Sequence, residues 1–169
     1  MKNVRRKPEG SAITEMGPAL FILLILIFFP MMNLIQIGAA YALANTYHQY
    51  ISREIAFKRP ELSSAAISKV NTEVDANSLF QFVRIVGRTV DSVQFLDKNG
   101  AVVSGLPAAG DTSDAARATR NSIAQVRVQT TMTVSPYITI PFFASIPGLG
   151  APVPFRVSSD RPQDEKGLN

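Results

Sequence analysis

The sequence predicts an α+β protein, in which a long N-terminal membrane-spanning helix extends into a small exported domain with helices packed on an antiparallel sheet. Three observations support this prediction. No side chain in residues 16–37 carries a formal charge, helical periodicity continues through 38–58, and apolar residues alternate with polar ones over 123–134. The predicted divisions are a cytoplasmic leader (1–10), the transmembrane helix and its extension (11–58), the exported α+β domain (59–159) and a polar tail (160–169).

The apolar run of residues 16–37 is long enough to cross a bilayer. As a helix it would measure roughly 33 Å, against a hydrocarbon core of about 30 Å. The basic residues before it are Lys2, Arg5, Arg6 and Lys7. Basic flanks stay in the cytoplasm, so residues after Ile37 are expected outside it. Pro30 lies well inside the run and is expected to kink the helix, which becomes polar at Asn33 and Gln36.

The helix is expected to leave the membrane unbroken and end near Lys58. Its face beyond the membrane is expected to be formed by Ala44, Tyr47 or His48, Ile51 and Ile55. Tyr41, Tyr47 and Tyr50 are candidates either for interfacial rings or for packing against a neighbouring helix. His48 is the only histidine in the chain and is expected to be an interfacial polar residue rather than part of a site.

Two further helices are predicted before the sheet. Pro60 marks the first turn of one helix, whose apolar positions are Ala65, Ile67, Val70 and Val74. The second would place Leu79, Phe82, Val83 and Val86 against a sheet, with Asn77 or Ser78 as the N-cap and Gly87 as the stop. Asp97-Lys98-Asn99-Gly100 then predicts a hairpin turn between apolar runs.

The C-terminal third predicts strands separated by irregular segments. Residues 104–121 are expected to form an exposed connection with one helical turn at 115–120, followed by a half-buried strand over 123–134. An extended, apolar flap is expected after Pro136 and is turned by Pro147-Gly148-Leu149-Gly150. The last strand holds Val153, Phe155 and Val157, and its prolines favour a sheet edge. The chain is expected to fray from Ser158 onwards.

Composition argues against several classes of function. The chain has no cysteine and one histidine, which rules out disulfides and leaves few ways to build a zinc or copper site. Residues 1–10 hold four of the 17 basic and one of the 13 acidic residues, so the remaining 13 and 12 give a formal charge of +1. Nucleic-acid binding is therefore not expected. No phosphate loop, nucleophile elbow or metal-spaced cluster occurs, so we expect no enzyme and no cofactor.

The residues before the apolar run have the form of a processing site. Gly10 is followed by the small residue Ser11, and Glu15 lies five positions after the glycine. Cleavage after Gly10 would place the new Ser11 amine and the Glu15 carboxylate four residues apart, the spacing of neighbours on a helix. Without such a partner Glu15 would remain at the headgroup level, because carrying its charge inward costs about 2.5 kcal/mol or more.

This pattern resembles the prepilin signal of type IV pilin-like proteins. Gly-Ser-Ala-Ile-Thr-Glu followed by an apolar, proline-containing run resembles the TadE-like family of the tight-adherence (Tad) pilus machinery. The likeness continues in the alanine-rich helix that ends near Arg53-Glu54 and in the late Pro-Tyr and Pro-Gly-Leu-Gly segments, but it does not cover 61–121.

The resemblance implies a minor pilin or pseudopilin that serves as a structural subunit or assembly factor for Tad pili. It implies a single-pass protein of the inner membrane, with a cytoplasmic N-terminus and a periplasmic or extracellular domain. The implied processing and assembly residues are Gly10, Ser11 and Glu15. The implied partners are the prepilin peptidase, other pilin-like subunits of the Tad system and membrane lipid.

A second hypothesis comes from a different class of protein, a Sec-exported periplasmic binding module with a cleaved signal peptide. Its cleavage site would be Ala42-Leu43-Ala44. The apolar run exceeds the usual signal-peptide core of about 7–15 residues and is preceded directly by Glu15, which favours the membrane anchor.

Overall fold

The computed structural model describes residues 11–139 and 141–163. The helices are α1 (Ser11–Leu23), α2 (Phe29–Ala56), α3 (Ser63–Asp75), α4 (Ser78–Phe82) and α5 (Asp114–Ser122). The strands are β1 (Ile85–Leu96), β2 (Gln125–Val134) and β3 (Val153–Pro162). The predicted α+β class is confirmed: a long apolar N-terminal helix is followed by a three-stranded antiparallel sheet.

The two N-terminal helices are joined by a π-helical turn, Leu24–Phe28, immediately before Pro30. The N–H of Phe29 donates to the carbonyl of Leu24, five residues earlier rather than four. A widened turn suits this position because proline lacks an N–H and its ring crowds the carbonyl four residues earlier in a regular helix. The irregularity expected at Pro30 thus takes the form of a π-helical turn just before it.

The sheet has the order β1-β2-β3. In β1 and β2, Leu96 pairs with Gln125, and in β2 and β3 Val134 pairs with Val153. The alternation predicted for 123–134 is confirmed, because every second residue of β2 is buried. These residues are Val126, Val128, Thr130, Met132 and Val134. One face of the sheet therefore builds the core, and the polar side chains occupy the other.

The second half of α2 is the central element of this core. It contacts β2, β3 and α3. Its buried apolar residues are Ala40, Ala44, Tyr47, Ile51, Ile55 and Ala56. The same helix that begins as an apolar rod therefore ends inside the domain. Helix α3 follows the Pro60–Leu62 turn, as predicted, and buries Val70 and Val74.

The second short helix is shorter than predicted. Asn77 caps it as expected, by accepting the N–H of Leu79 at 2.9 Å, but α4 ends at Phe82. The expected sheet-facing residues Leu79, Phe82 and Val86 are exposed, whereas Phe80 and Val83 are buried. Val86 and Gly87 belong to β1, because pairing with β2 and the β-branched residues at 85–86 favour the extended conformation.

The predicted turn at residues 97–100 is present, and Gly100 has the positive φ of 80° that favours glycine. The run after it forms only one bridge, from Val102 to Leu96. Helix α5 includes the turn predicted at 115–120 and extends beyond it.

The fraying expected from Ser158 was wrong for the described residues. Strand β3 continues to Pro162, where it pairs with Gln125. The Gln163 side chain donates to the carbonyl of Lys58 at 2.8 Å. Contacts to distant elements hold this segment in place. Residues 164–169 of the predicted tail, and the predicted leader 1–10, lie outside the described residues.

Candidate functional site

The predicted processing residues lie at the N-terminal end of the described chain. Gly10 is outside the described residues. Ser11 and Glu15 both belong to α1, four residues apart, which is the spacing of neighbours along one helix face. The helical backbone at these positions is the geometry that the proposed pairing requires.

Large apolar side chains of the N-terminal helix face outward. Those at least 40% exposed include Leu20, Phe21, Ile22, Leu23, Leu26, Ile27, Phe28, Met31, Met32, Leu34 and Ile35. An apolar surface of this extent is stable only against lipid or other protein. Within the described residues, the helical stretch Met16–Ala56 is long and apolar enough to cross a membrane, with a mean hydropathy of 2.5 in its best window.

Two carboxamides at the distal end of this apolar surface bind the backbone of a distant segment. Asn33 donates to the carbonyl of Ile138 at 2.7 Å and accepts its N–H at 3.2 Å. Gln36 donates to the carbonyl of Ser135 at 2.8 Å and accepts the N–H of Tyr137 at 2.7 Å. Both side chains are buried, at 0% and 3% exposure. We call this pair the carboxamide clamp.

The clamp holds one end of the apolar flap, defined here as residues 136–139 and 141–150. The expectation of an extended flap was wrong, because this segment contains a 3₁₀ turn, Pro141–Phe143, as well as the predicted turn at Pro147-Gly148-Leu149-Gly150. Gly148 has φ +83°, and a Cβ there would overlap the Ile37 side chain. Glycine is therefore needed twice over at this position, for its conformation and for the close approach to α2.

Polar side chains also tie α2 to the sheet beyond the flap. His48 is buried, with Nδ1 3.0 Å from Thr130 Oγ1 and Nε2 2.7 Å from Ser159 Oγ. Arg161 Nε donates to Ser52 Oγ at 2.8 Å. The expectation that His48 is an interfacial residue was wrong, because its side chain is buried between α2 and the sheet. A neutral imidazole donates from one nitrogen and accepts at the other, and the two hydroxyls satisfy both.

The three tyrosines of α2 that follow the apolar run of residues 16–37 have different environments. Tyr47 is buried and its hydroxyl donates to Asn71 Oδ1 of α3 at 2.9 Å, while the Arg88 guanidinium lies over its ring. Tyr41 and Tyr50 are exposed. The helix-packing alternative is therefore confirmed for Tyr47.

The carboxylates scattered through the domain have structural roles. Asp97 accepts the N–H groups of Asn99 and Ala101 in its turn. The hydroxyls of Thr131 and Thr89 hold the pKa of Asp91 below its usual range. Asp111 accepts the N–H of Ser113, and that bond lowers the pKa of Asp111 in the same way. In the ranges described, no three of the His, Asp and Glu residues are grouped so that they could hold a metal ion.

A buried ion pair joins the 3₁₀ turn Pro60–Leu62, just before α3, to the last turn of α5. Arg120 donates to Glu61 Oε1 at 2.8 Å and to the carbonyl of Asp111 at 2.6 Å, and both charged side chains are about 5% exposed or less. Glu61 Oε2 has no hydrogen-bond partner among the described residues. This pair fixes the 104–121 connection against the Pro60–Leu62 turn, a contact that the composition of that segment does not predict.

The clamp is the feature that sequence reasoning missed. The sequence marks Asn33 and Gln36 only as the polar end of an apolar helix. Two carboxamides three residues apart in such a helix were the available signal, because polar groups near hydrocarbon must find internal partners. Their partners are backbone groups about 100 positions away, which no local pattern identifies.

The chain matches no known protein-family model, no curated protein and no solved structure.

Proposed function

We propose that this protein is a TadE-like minor pilin or pseudopilin, a single-pass structural subunit or assembly factor for Tad (type IVb-like) pili in adhesion and secretion-related surface assembly. Its chemistry is association rather than catalysis. The proposal rests chiefly on one observation: a helix with an exposed apolar surface in its first half forms the centre of a domain core in its second half. Such a helix joins a membrane to a domain without an intervening linker.

The continuity of α2 supports an uncut anchor over the signal-peptide alternative. A signal peptidase acting at Ala42-Leu43-Ala44 would have to cut inside α2 (Phe29–Ala56). Ala40 and Ala44 are part of the core, and the clamp lies before the cut. Cleavage there would remove the clamp and one end of the core helix from the folded domain.

The hypothesis that this protein associates with other membrane helices depends on the charge of Glu15. In a bundle of packed membrane helices a carboxylate needs a positive partner, because a buried, unpaired charge costs several kcal/mol, roughly 3–5. The Ser11 amine released by cleavage, on the same or a neighbouring chain, supplies that charge. Pairing of this kind would fix the register between helices.

Close packing without charge is the competing account of assembly. Small residues let helices approach in lipid, and the apolar helix contains Gly17, Ala19 and Gly38. A Cβ added at Gly17 or Gly38 would meet no atom within 4 Å, so the space beside both is open to a neighbouring helix. The two accounts predict different outcomes when the charge of Glu15 is removed.

Mass spectrometry of the purified protein tests processing. In cells that contain a prepilin peptidase, the mature chain should begin at Ser11. Gly10→Val should block the cut, because an extended peptide must approach the protease closely, while Gly17→Val should leave it intact. A chain that still begins at Met1 contradicts the proposal, and one that begins at Asn45 supports the signal-peptide hypothesis.

Glu15→Gln tests the charge pair. The variant should be inserted and cut after Gly10, yet be lost from a pull-down with the other pilin-like subunits. Glu9→Gln is the matched control: the same chemical change falls in the leader, so its mature chain is identical to the original. If Glu15→Gln co-purifies with its partners as fully as this control, the charge-pair hypothesis is wrong.

A phosphatase fusion tests the topology. Alkaline phosphatase fused after Asn169 should be active, because the basic leader is expected to remain cytoplasmic. A well-expressed but inactive fusion would reverse the orientation.

A further inference from the structure

The flap exposes large apolar side chains beside the membrane helix. Phe142 is 83% exposed and Ile146 is 43% exposed. No charged side chain occurs between Arg127 and Arg156, so the flap has none along its whole length. Exposed apolar side chains on an uncharged loop can mark a contact with lipid or protein, and the position of the loop relative to the apolar helix indicates which.

The clamp fixes the direction in which the flap runs. Ser135 bonds Gln36 and Ile138 bonds Asn33, so the chain passes along α2 towards its N-terminal, apolar end. After the Pro141–Phe143 turn it returns, and Gly148 lies against Ile37. Phe29, one turn before Asn33 on the same helix face, is half-buried. The tip of the flap therefore projects towards the membrane end of the helix.

The length of the apolar surface gives the level of the bilayer. A hydrocarbon core of about 30 Å requires roughly 20 helical residues. Counted from Met16, the first residue after Glu15, this span ends near Ile35. Asn33 thus lies in the last turn of the span, and the flap that it holds lies at the distal interface of the membrane.

A second apolar element lies beside the flap. The Phe82 ring packs edge-on against Tyr137 with centroids 5.8 Å apart, and the Tyr137 hydroxyl donates to the carbonyl of Phe82. Leu79 and Phe82 of α4 are 65% and 69% exposed. Arg84 reaches the carbonyl of Pro136 at 3.4 Å, which places a cation beside this apolar rim. Apolar rings beside a cation suit the interface of a bilayer, where the rings can contact acyl chains and the cation can contact headgroup phosphates.

We propose that the flap is a second membrane contact: Phe142 and Ile146 insert into the outer leaflet beside the helix, with α4 resting on the headgroups and Arg84 facing lipid phosphates. This rests on the spanning helix of the proposed function. With this second contact the domain would touch the bilayer at the flap as well as at the helix, which would fix its orientation about the membrane normal.

The chain has no tryptophan, so a single introduced tryptophan reports on its own surroundings. The full chain with Phe142→Trp, the flap probe, is reconstituted into phosphatidylethanolamine–phosphatidylglycerol vesicles, with and without brominated acyl chains. Phe57→Trp is the matched control probe, since Phe57 is also exposed but follows the far end of α2. Phe21→Trp, in the apolar helix, is the anchor probe and reports on the membrane helix itself.

We expect brominated lipid to quench the fluorescence of the flap probe and the anchor probe at least two-fold, and iodide in the buffer to quench only the control probe strongly. If iodide quenches the flap probe as much as the control probe and bromine has no effect on it, the flap proposal is overturned, while quenching of the anchor probe by bromine keeps the membrane helix intact. A flap probe shielded from both quenchers means that protein covers the flap, which also overturns the proposal. Failure of bromine to quench the anchor probe overturns the membrane helix and the flap proposal together.

Discussion

Replacing Asn33 with alanine should release the flap from α2 and leave the core folded. The Asn33 carboxamide donates one hydrogen bond to Ile138 and accepts another from it, and alanine can do neither. An unsatisfied buried backbone group costs about 1–3 kcal/mol. Ile138 is only half-buried, so water partly replaces the lost bonds and the lower end applies. Two groups at about 1 kcal/mol each give a loss of about 2 kcal/mol in the free energy that keeps the flap closed.

Hydrogen exchange measured by mass spectrometry on the full chain in detergent micelles detects this loss. A tenfold change in an equilibrium corresponds to about 1.4 kcal/mol, so amides at 137–138 should exchange roughly 30-fold faster. Amides of β2 should keep their protection. Asn45→Ala is the matched control, because Asn45 lies on the same helix and, among the described residues, its side chain donates to the carbonyl of Tyr41 within that helix.

The reasoning fails if flap amides in Asn33→Ala exchange no faster than in Asn45→Ala. Apolar contacts such as that of Gly148 with Ile37 would then hold the flap without the clamp. Gln36→Ala should act in the same direction, since Gln36 bonds Ser135 and Tyr137 of the same segment. Because both carboxamides hold one segment, the double variant should lose less than the sum of the two single losses.

Three further predictions concern the domain. Arg120→Met should destabilise it by about 3–5 kcal/mol in chemical denaturation, because Glu61 is left buried and unpaired, whereas adding Glu61→Leu should recover most of that loss; equal losses would contradict this. His48→Leu should cost about 1–3 kcal/mol by leaving two hydroxyls without their partner, and thermal unfolding no different from the original would contradict that role. The Arg127 guanidinium donates two hydrogen bonds to Asp160 and lowers the pKa of that carboxyl, so the pair stabilises the fold above the ordinary pKa of aspartate and less as pH falls through the lowered value. The stability of Asp160→Asn should therefore differ from that of the original at neutral pH but not in strong acid. A difference in stability that does not change with pH would refute the assignment.

The elements that could be predicted from the sequence are those whose burial repeats locally. Strand β2 alternates with period two because one face of the sheet is covered by α2 and the other is polar. Helix α2 keeps its periodicity because Tyr47, Ile51 and Ile55 face one core. In both, a residue and its near neighbours carry enough information to indicate the covered side.

The elements that could not be predicted depend on partners distant in the chain. Strand β3 extends past Ser158 because Ser159 bonds His48 and Gln163 bonds Lys58, both more than 100 positions away. Helix α4 ends at Phe82 because the chain from Ile85 onwards pairs with β2 as strand β1. In the first case local propensity does not predict the outcome; in the second the β-branched residues at 85–86 agree with the strand but do not fix where the helix ends.

The clamp also determines how the apolar half of the helix is coupled to the domain. Asn33 and Ala40 are seven residues apart, about two turns or roughly 10 Å along the axis. Asn33 holds the flap and Ala40 lies in the core, so the domain contacts the helix at both ends of this interval. Contacts at two positions along one helix face prevent both sliding and rotation, whereas a single contact would allow the helix to pivot. Any rotation of the apolar helix must therefore turn the domain with it, because α2 runs from one into the other without a break.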